Sequence, residues 1–199
     1  MKTLYLSLLL IALAILTGCT HKYGRSFQTS SVDQLALGRT TPAQAENLLG
    51  KPEAKNTTTK NGNKFERFAY SYAEVEAPIA GGNYFIDTLL VEFFDGKLQG
   101  YIYQRVQAND DNPLSSSQVE DMPRGSATKQ DIIRILGDPT GKALNPTNLE
   151  VFEDTFGHEV WAWIAVREVG DAVEIQKVLV GFNFEGKLDS VSTSVTTRQ

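Results

Sequence analysis

Cysteine, histidine and methionine are scarce in this chain of 199 residues, which has one, two and two of them. A single cysteine excludes an internal disulfide framework. The histidines, His21 and His158, lack the His-x-x-His or Cys-x-x-Cys spacing of metal sites, so we expect no metal and no cofactor. A formal net charge of -5 argues against nucleic acid as a partner, because nucleic acid requires a basic surface.

Long apolar runs are also missing, apart from one at the N-terminus. Residues 4–16 are almost entirely apolar and follow the positively charged Lys2, which is the pattern of a signal peptide. A helix that spans a bilayer needs roughly 20 apolar residues, so a permanent transmembrane anchor is the weaker interpretation. We therefore predict a signal peptide over residues 1–18.

The apolar run ends in Leu16-Thr17-Gly18-Cys19, which resembles the lipobox of bacterial lipoproteins. The resemblance implies cleavage between Gly18 and Cys19, a diacylglycerol on the cysteine sulfur, and a fatty acid such as palmitate on the new amine. An ordinary buried thiol is the alternative for Cys19. Each buried methylene contributes about 0.8 kcal/mol, so two or three chains hold a protein stably on a membrane.

The residue after the cysteine indicates which membrane holds the anchor. Thr20 stands where lipoproteins retained at the inner membrane usually carry Asp, so the resemblance implies an outer-membrane protein that faces the periplasm. Residues 19–29 are predicted to be the acylated cysteine and a polar tether that reaches roughly 30 Å when extended.

The rest of the chain contains one motif twice. At a constant offset of 87 positions, seven of 23 residues are identical between the two copies. Self-similarity at a fixed spacing indicates repeated supersecondary units. The identical residues are Ser30, Val32, Gly38, Thr41, Leu49, Gly50 and Pro52 in the first copy, and Ser117, Val119, Gly125, Thr128, Leu136, Gly137 and Pro139 in the second.

Each copy predicts two helices followed by three strands. A capping box at Ser117 and its weaker relative at Ser30 open a first helix, and Thr41 and Thr128 cap a second one. Gly50 and Gly137 end the second helix in each copy. Strands are predicted over 68–72, 88–94 and 97–106 in the first copy, and over 161–165, 177–184 and 187–196 in the second, with Asp-Gly and Glu-Gly turns before the third strands.

The predicted fold class is therefore α+β, as two tandem helix-helix-strand-strand-strand units. In each unit a helix pair packs on an antiparallel meander sheet, because an isolated meander needs helices to bury its apolar face. The first repeat covers 30–107, a polar linker covers 108–116, and the second repeat covers 117–199.

The motifs resemble the SmpA/OmlA (BamE-like) family of outer-membrane lipoproteins. The resemblance rests on Gly-x-x-Thr at 38–41, Leu-Gly-x-Pro at 49–52, the aromatic strand at 68–70 and Asp-Gly-Lys-Leu at 95–98, and it recurs from Gly125. Two tandem units also resemble the β-lactamase inhibitor protein fold. The first resemblance implies a lipoprotein that works with barrel-assembly components, although the familiar members of that family have a single unit.

Aromatic rows on the strands are the candidate binding face. Side chains at alternate positions share one face of a sheet. If helices cover that face, the rows are core; if the face is open, they form a recognition patch, because exposed aromatic residues are typical binding anchors. The residues concerned are Phe68, Tyr70, Tyr72, Tyr101, Tyr103, Trp161 and Trp163.

Catalytic candidates are few. His158 lies beside Glu153, Asp154 and Glu159, but a solvated histidine is the better interpretation, and Asp110 with Asp111 lacks the alternation of a calcium loop. We therefore expect a non-enzyme that binds no small-molecule substrate.

The leading hypothesis for function is a membrane-anchored scaffold or modulator of envelope protein assembly. The alternative is a periplasmic protein-binding or inhibitor module of the β-lactamase inhibitor protein type.

Overall fold

The strands of this protein join in one continuous antiparallel sheet. The computed structural model describes residues 20–76, 83–107, 113–153, 156–169 and 171–198. Within them eight strands run in the order β1-β3-β4-β5-β6-β7-β8-β9, and a ninth strand, β2, pairs with β3. The strands are β1 Thr20–Gly24, β2 Ala54–Lys60, β3 Asn63–Glu76, β4 Tyr84–Phe94, β5 Lys97–Gln107, β6 Gly141–Leu144, β7 Glu159–Val169, β8 Ala172–Phe182 and β9 Leu188–Arg198.

The prediction of two tandem helix-helix-strand-strand-strand units, each with its own meander, is wrong. The short strand β6 pairs with β5 on one side and with β7 on the other, so it merges the two expected meanders. Strands β1 and β2 widen the sheet at the outer edge of β3. Strand is therefore the dominant structure, and the helices are few and short.

The helices confirm two of the predicted caps and not the other two. Helix α1, Pro42–Leu49, and helix α3, Lys129–Leu136, begin with complete capping boxes at Thr41 and Thr128. The two segments before them are shorter than predicted: a 3-10 helix at Thr29–Gln34 and a single turn, α2, at Ser117–Glu120. Neither has a side-chain cap. A second 3-10 helix covers Glu150–Phe152.

One face of the sheet is covered by the helices, and we call it the helix face. In the first half of the chain, Val32, Leu35, Ala45 and Leu49 from the helical segments pack on the sheet. In the second half, Val119 and Ile132 do the same. The sheet residues beneath them are Phe68, Tyr70, Leu89, Val91, Phe93, Leu98 and Tyr101 in the first half, and Trp161, Trp163, Val178, Val180, Phe182 and Leu188 in the second.

The opposite face carries the β6–β7 loop, of which residues 145–153 and 156–158 are described, and we call it the loop face. Leu149 and Phe152 of this loop pack against Ala143, Val160 and other buried side chains of the sheet. The loop therefore covers part of the loop face with residues of the second repeat.

The two ends of the sheet differ in what they carry. Thr20, Tyr84 and Val169 lie at one end, which we call the Thr20 end, because Thr20 pairs with Glu76, the last residue of β3, and because β4 begins and β7 ends there. The opposite end carries the β8–β9 turn with Phe184, and we call it the Phe184 end. Strand β7 has ten steps of about 3.3 Å, so the two ends are about 33 Å apart.

Candidate functional site

The aromatic rows predicted as a possible binding face belong to the hydrophobic core. Phe68, Tyr70, Tyr101, Trp161 and Trp163 are buried on the helix face. Tyr72 and Tyr103 are partly buried and pack against the same core. The helices close over these rows, so they do not form an open recognition patch.

Contacts within the core fix these rings further. The ring of Tyr70 lies 5.5 Å from that of Phe27, and the ring of Trp161 lies 5.0 Å from that of Phe182. The indole N–H of Trp163 donates to the carbonyl of Gly137 over 3.0 Å, at the end of helix α3. Each ring therefore has packing or polar partners inside the protein.

The buried tyrosines are held in the neutral form. Burial raises the pKa of Tyr70 to about 12, with a further contribution from the carboxylate of Glu46. Burial also raises the pKa of Tyr103 to about 12, and its hydrogen bond to Asp87 adds to the effect. Burial also raises the pKa of Tyr101. None of these hydroxyls is poised as a base or nucleophile near neutral pH.

His158 lies at the Phe184 end and is stacked on an exposed ring. Its imidazole lies 4.2 Å from the ring of Phe184, with 22° between the planes. Of its acidic sequence neighbours, Glu153 pairs with Lys60 and Glu159 pairs with Lys129. Within the described ranges, no three histidine, cysteine or acidic residues are grouped so that they could hold a metal ion.

Several sequence candidates fall outside the described residues. Asp154, Asp110 and Asp111 are among them, and so are Gly18 and Cys19. The predicted signal peptide over 1–18 also lies there. In the part of the chain that is described, no helix has the length and apolar character needed to cross a bilayer.

Two phenylalanines at the Phe184 end are the most exposed large apolar side chains of the described residues. Phe156 is 80% exposed and Phe184 is 86% exposed. With His158, which stacks on Phe184, they form a group that we call the aromatic tip. An exposed aromatic ring is unfavourable in water unless a partner covers it, and aromatic side chains dominate the binding energy of protein interfaces.

The backbone that carries Phe156 is held against the sheet. The hydroxyl of Ser190 donates to the carbonyl of Phe156 over 2.5 Å, and the N–H of His158 donates to the carbonyl of Phe182 over 2.7 Å. A Cβ at position 181 would lie 1.8 Å from the carbonyl oxygen of Phe156, so only glycine fits there. The tip is therefore displayed on a fixed backbone.

A buried carboxylate fastens the β6–β7 loop to the first half of the sheet. Glu92 of β4 is fully buried and accepts hydrogen bonds from Arg67 Nε at 3.0 Å, Thr147 Oγ1 at 2.8 Å and the Asn148 N–H at 2.8 Å. Gln99 donates to the carbonyls of Leu144 and Pro146 at 2.8 and 2.7 Å. These bonds connect the two repeats across the loop face.

The sequence did not indicate the aromatic tip. Strand 177–184 was predicted to continue through Phe184, and alternation would then have placed Phe184 beside the buried Phe182. The strand instead ends at Phe182, and Asn183 folds the chain by accepting from the N–H groups of Glu185 and Lys187, both at 3.0 Å. Asn in a turn followed by Glu-Gly was the signal that could have revealed this.

Comparisons with known proteins give one weak likeness. No protein-family model and no curated protein matches the chain. Among solved structures, the crystal structure of a "putative beta-lactamase inhibitor protein" from Streptococcus mutans is similar with a TM-score of 0.44 and 8% sequence identity. The match covers 85% of this chain and 98% of that chain. No family match therefore supports the SmpA/OmlA resemblance. The structural likeness is too weak to indicate a shared function.

Proposed function

We propose that this chain is a bacterial lipoprotein, anchored by Cys19 in the outer membrane and facing the periplasm, that acts as a non-enzymatic scaffold or modulator in envelope protein assembly. We further propose that its protein partner binds at the aromatic tip. The observation that carries the binding proposal is the exposure of Phe156 and Phe184 on a backbone fixed by Ser190 and Gly181.

The position of the tip supports this proposal. Cys19 precedes Thr20, which lies at the opposite end of the sheet, about 33 Å along the strands from the tip. A lipid anchor at one end leaves the aromatic rings at the other end free to meet a protein. Barrel-assembly components are the partners that the SmpA/OmlA resemblance of residues 38–98 suggests.

Affinity purification from detergent-solubilised envelopes tests the binding proposal. We expect the wild-type chain to retain an envelope protein that the Phe156→Ala/Phe184→Ala variant loses, because truncation removes the aromatic anchors. Val195→Ala is the matched control, since Val195 is also a large exposed apolar side chain but lies on β9 away from the tip. A tip variant that retains every protein the wild type retains would contradict the proposal.

A second candidate function is a periplasmic protein-binding or inhibitor module of the β-lactamase inhibitor protein type. It is favoured by the continuity of the sheet, because β6 connects both repeats into one surface that a single partner could contact. The Cys19→Ala variant separates the two functions. A variant that becomes soluble and still binds one periplasmic protein supports the inhibitor module, whereas a variant that loses the partner supports the anchored scaffold.

A further inference from the structure

The chain enters the sheet directly after Cys19, without a free tether. Residues 19–29 were predicted to contain a tether, but Thr20–Gly24 forms strand β1, and Thr20 pairs with Glu76 of β3. Consecutive Cα atoms are about 3.8 Å apart, so the Cα atom of Cys19 is one such step from that of Thr20. No sequence pattern predicts this strand, because all five of its residues are exposed and it has no apolar alternation.

Strand β1 is fixed at the sheet edge by close backbone contact. Its last residue, Gly24, has φ of +74°, and a Cβ there would lie 2.3 Å from the carbonyl oxygen of Ser71. The next N–H, of Arg25, donates to that same oxygen over 3.0 Å. Lys22 pairs with Glu74 at 3.7 Å across the two strands. An anchor on Cys19 therefore constrains the orientation of the whole sheet.

Exposed apolar side chains lie at this same end of the loop face, on strands β1, β4 and β8. By the strand register, Tyr23, Ile86 and Val173 point to the loop face, and they are 60%, 38% and 38% exposed. We call these three residues the Thr20-end patch. The described residues of the β6–β7 loop pack farther along the sheet, on Ala143 and Val160, and the cluster that they form does not include the patch residues. The hydroxyl of Tyr84 donates to Glu168 over 2.5 Å on this face and connects the two halves of the sheet.

Several charged side chains at the Thr20 end lie on the helix face, opposite the patch, and pair with one another there. Besides the Lys22–Glu74 pair, Arg105 pairs with Asp87 at 2.7 Å and Arg167 pairs with Glu174 at 2.6 Å. The three residues of the patch itself are uncharged. Exposed aliphatic groups and tyrosine suit the boundary between headgroups and acyl chains.

We propose that the Thr20-end patch rests on the surface of the lipid bilayer that holds Cys19. The protein then has one orientation on the membrane, with the Thr20 end of its loop face toward the bilayer and the aromatic tip at the far end of the strands. This inference rests on the proposed anchor at Cys19. It commits to a lipid surface as the occupant, because the chain that leads to the anchor ends beside the patch and leaves no spacer for a protein between them.

Single-cysteine fluorescence tests the orientation. Acylation consumes the thiol of Cys19, which is the only native cysteine, so an introduced cysteine is the only free thiol. The lipidated variants Tyr23→Cys, Ile86→Cys and Val173→Cys, each labelled with an environment-sensitive dye, are placed in phosphatidylcholine vesicles that contain nitroxide-labelled lipid. Glu185→Cys, at an exposed turn position of the Phe184 end, is the matched control. Circular dichroism checks that each variant is folded.

We expect a blue shift and lipid quenching at positions 23, 86 and 173 and neither effect at 185. Equal solvent exposure at all four positions would overturn the docking. So would a blue shift that is complete before vesicles are added, because that result assigns the patch to a second copy of the chain.

Mass spectrometry and vesicle flotation of the same samples separate this inference from the anchor. A chain that is acylated and floats, but shows no quenching at the patch, overturns only the docking. A chain that is not acylated overturns both.

Discussion

Glu92 is the residue on which the connection between the two repeats depends most. Its carboxylate is fully buried and satisfied by Arg67, Thr147 and Asn148, two of which belong to the β6–β7 loop. Removing one member of a buried ion pair leaves the other charge uncompensated, which costs more than the pair contributed.

We expect Glu92→Gln to lower the free energy of unfolding by about 2 kcal/mol, because Arg67 loses its buried counter-charge. The measurement is urea unfolding, with hydrogen exchange of the β6–β7 loop as a local readout. The matched control is Glu66→Gln on β3, where the carboxylate is exposed and a change within about 0.5 kcal/mol is expected. Equal effects of the two substitutions would refute the role given to Glu92.

Two core tyrosines differ in one hydrogen bond. In the described structure the hydroxyl of Tyr70 is buried without a hydrogen-bond partner, whereas that of Tyr103 donates to Asp87 over 2.8 Å. We expect Tyr70→Phe to be neutral or stabilising and Tyr103→Phe to cost about 1 kcal/mol, because an unpaired buried hydroxyl carries only a desolvation cost. Thermal and urea unfolding measure both changes. A larger loss for Tyr70→Phe than for Tyr103→Phe would contradict the assignment.

The same tyrosines predict a loss of stability in alkali. Burial raises the pKa of Tyr70 and of Tyr103 from 10.0 to about 12, so the folded state holds these protons more tightly than the unfolded state. Their contribution is complete below about pH 10 and is lost as the pH rises to about 12. Between about pH 10 and pH 12 the free energy of unfolding should therefore fall less steeply with pH in the Tyr70→Phe/Tyr103→Phe variant than in the wild type. An unchanged pH slope would show that other groups dominate.

At the scale of single elements, the two capping boxes differ in one chemical group. Thr41 is paired with Gln44, which does not titrate, and Thr128 is paired with Asp131. Hydrogen bonds from Thr128, then from Arg134, lower the pKa of Asp131 from 3.8 to about 2. The contribution of this cap is therefore present above about pH 4 and is lost as the pH falls to about 2.

We expect the N-terminus of helix α3, but not that of α1, to loosen in acid. Amide exchange of Asp131 and Gln44, followed by NMR down to about pH 2, measures this difference. The Asp131→Gln variant should remove the pH dependence, because it reproduces the uncharged box of the first repeat. Simultaneous loss of both caps would indicate global acid unfolding instead.

The elements with a strong periodic pattern could be predicted from the sequence. Alternating aromatic and aliphatic residues marked the long central strands, and Asp95-Gly96 marked a hairpin, where both residues have positive φ. Three strands carried no such pattern. Strand β1 is wholly exposed, β2 is Ala-Lys-Asn-Thr-Thr-Thr-Lys at an edge, and β6 has four residues.

Those three strands decide the architecture of the sheet. Strand β6 joins two predicted meanders into one sheet, and β1 converts the predicted tether into an edge strand. Edge pairing depends on which backbone groups remain free after the core forms. Local sequence does not contain this information. The repeat could therefore be predicted from the sequence, whereas the joining of its strands in a single sheet could not.

At the scale of the whole molecule, two exposed apolar surfaces lie at opposite ends of the strands. The Thr20-end patch lies beside the predicted anchor, and the aromatic tip lies about 33 Å away along β7. The resemblance of residues 16–19 to a lipobox is visible in the sequence alone. The aromatic tip could not be predicted from the sequence. The exposure of Phe156 and Phe184 depends on where β8 ends and on the close contact between Phe156 of the β6–β7 loop and Gly181.

Site-specific photo-cross-linking in cells tests most directly whether an anchored protein offers its aromatic tip to a partner. A benzophenone amino acid replaces Phe184, whose exposed ring tolerates the larger group, in wild-type and Cys19→Ala backgrounds, and Val195 is the control position. We predict a cross-link from position 184 to an envelope protein, found in the outer-membrane fraction, absent from position 195 and lost in Cys19→Ala. Identical products from both positions, or none from position 184 in the anchored chain, would contradict the assignment of the tip as the binding site.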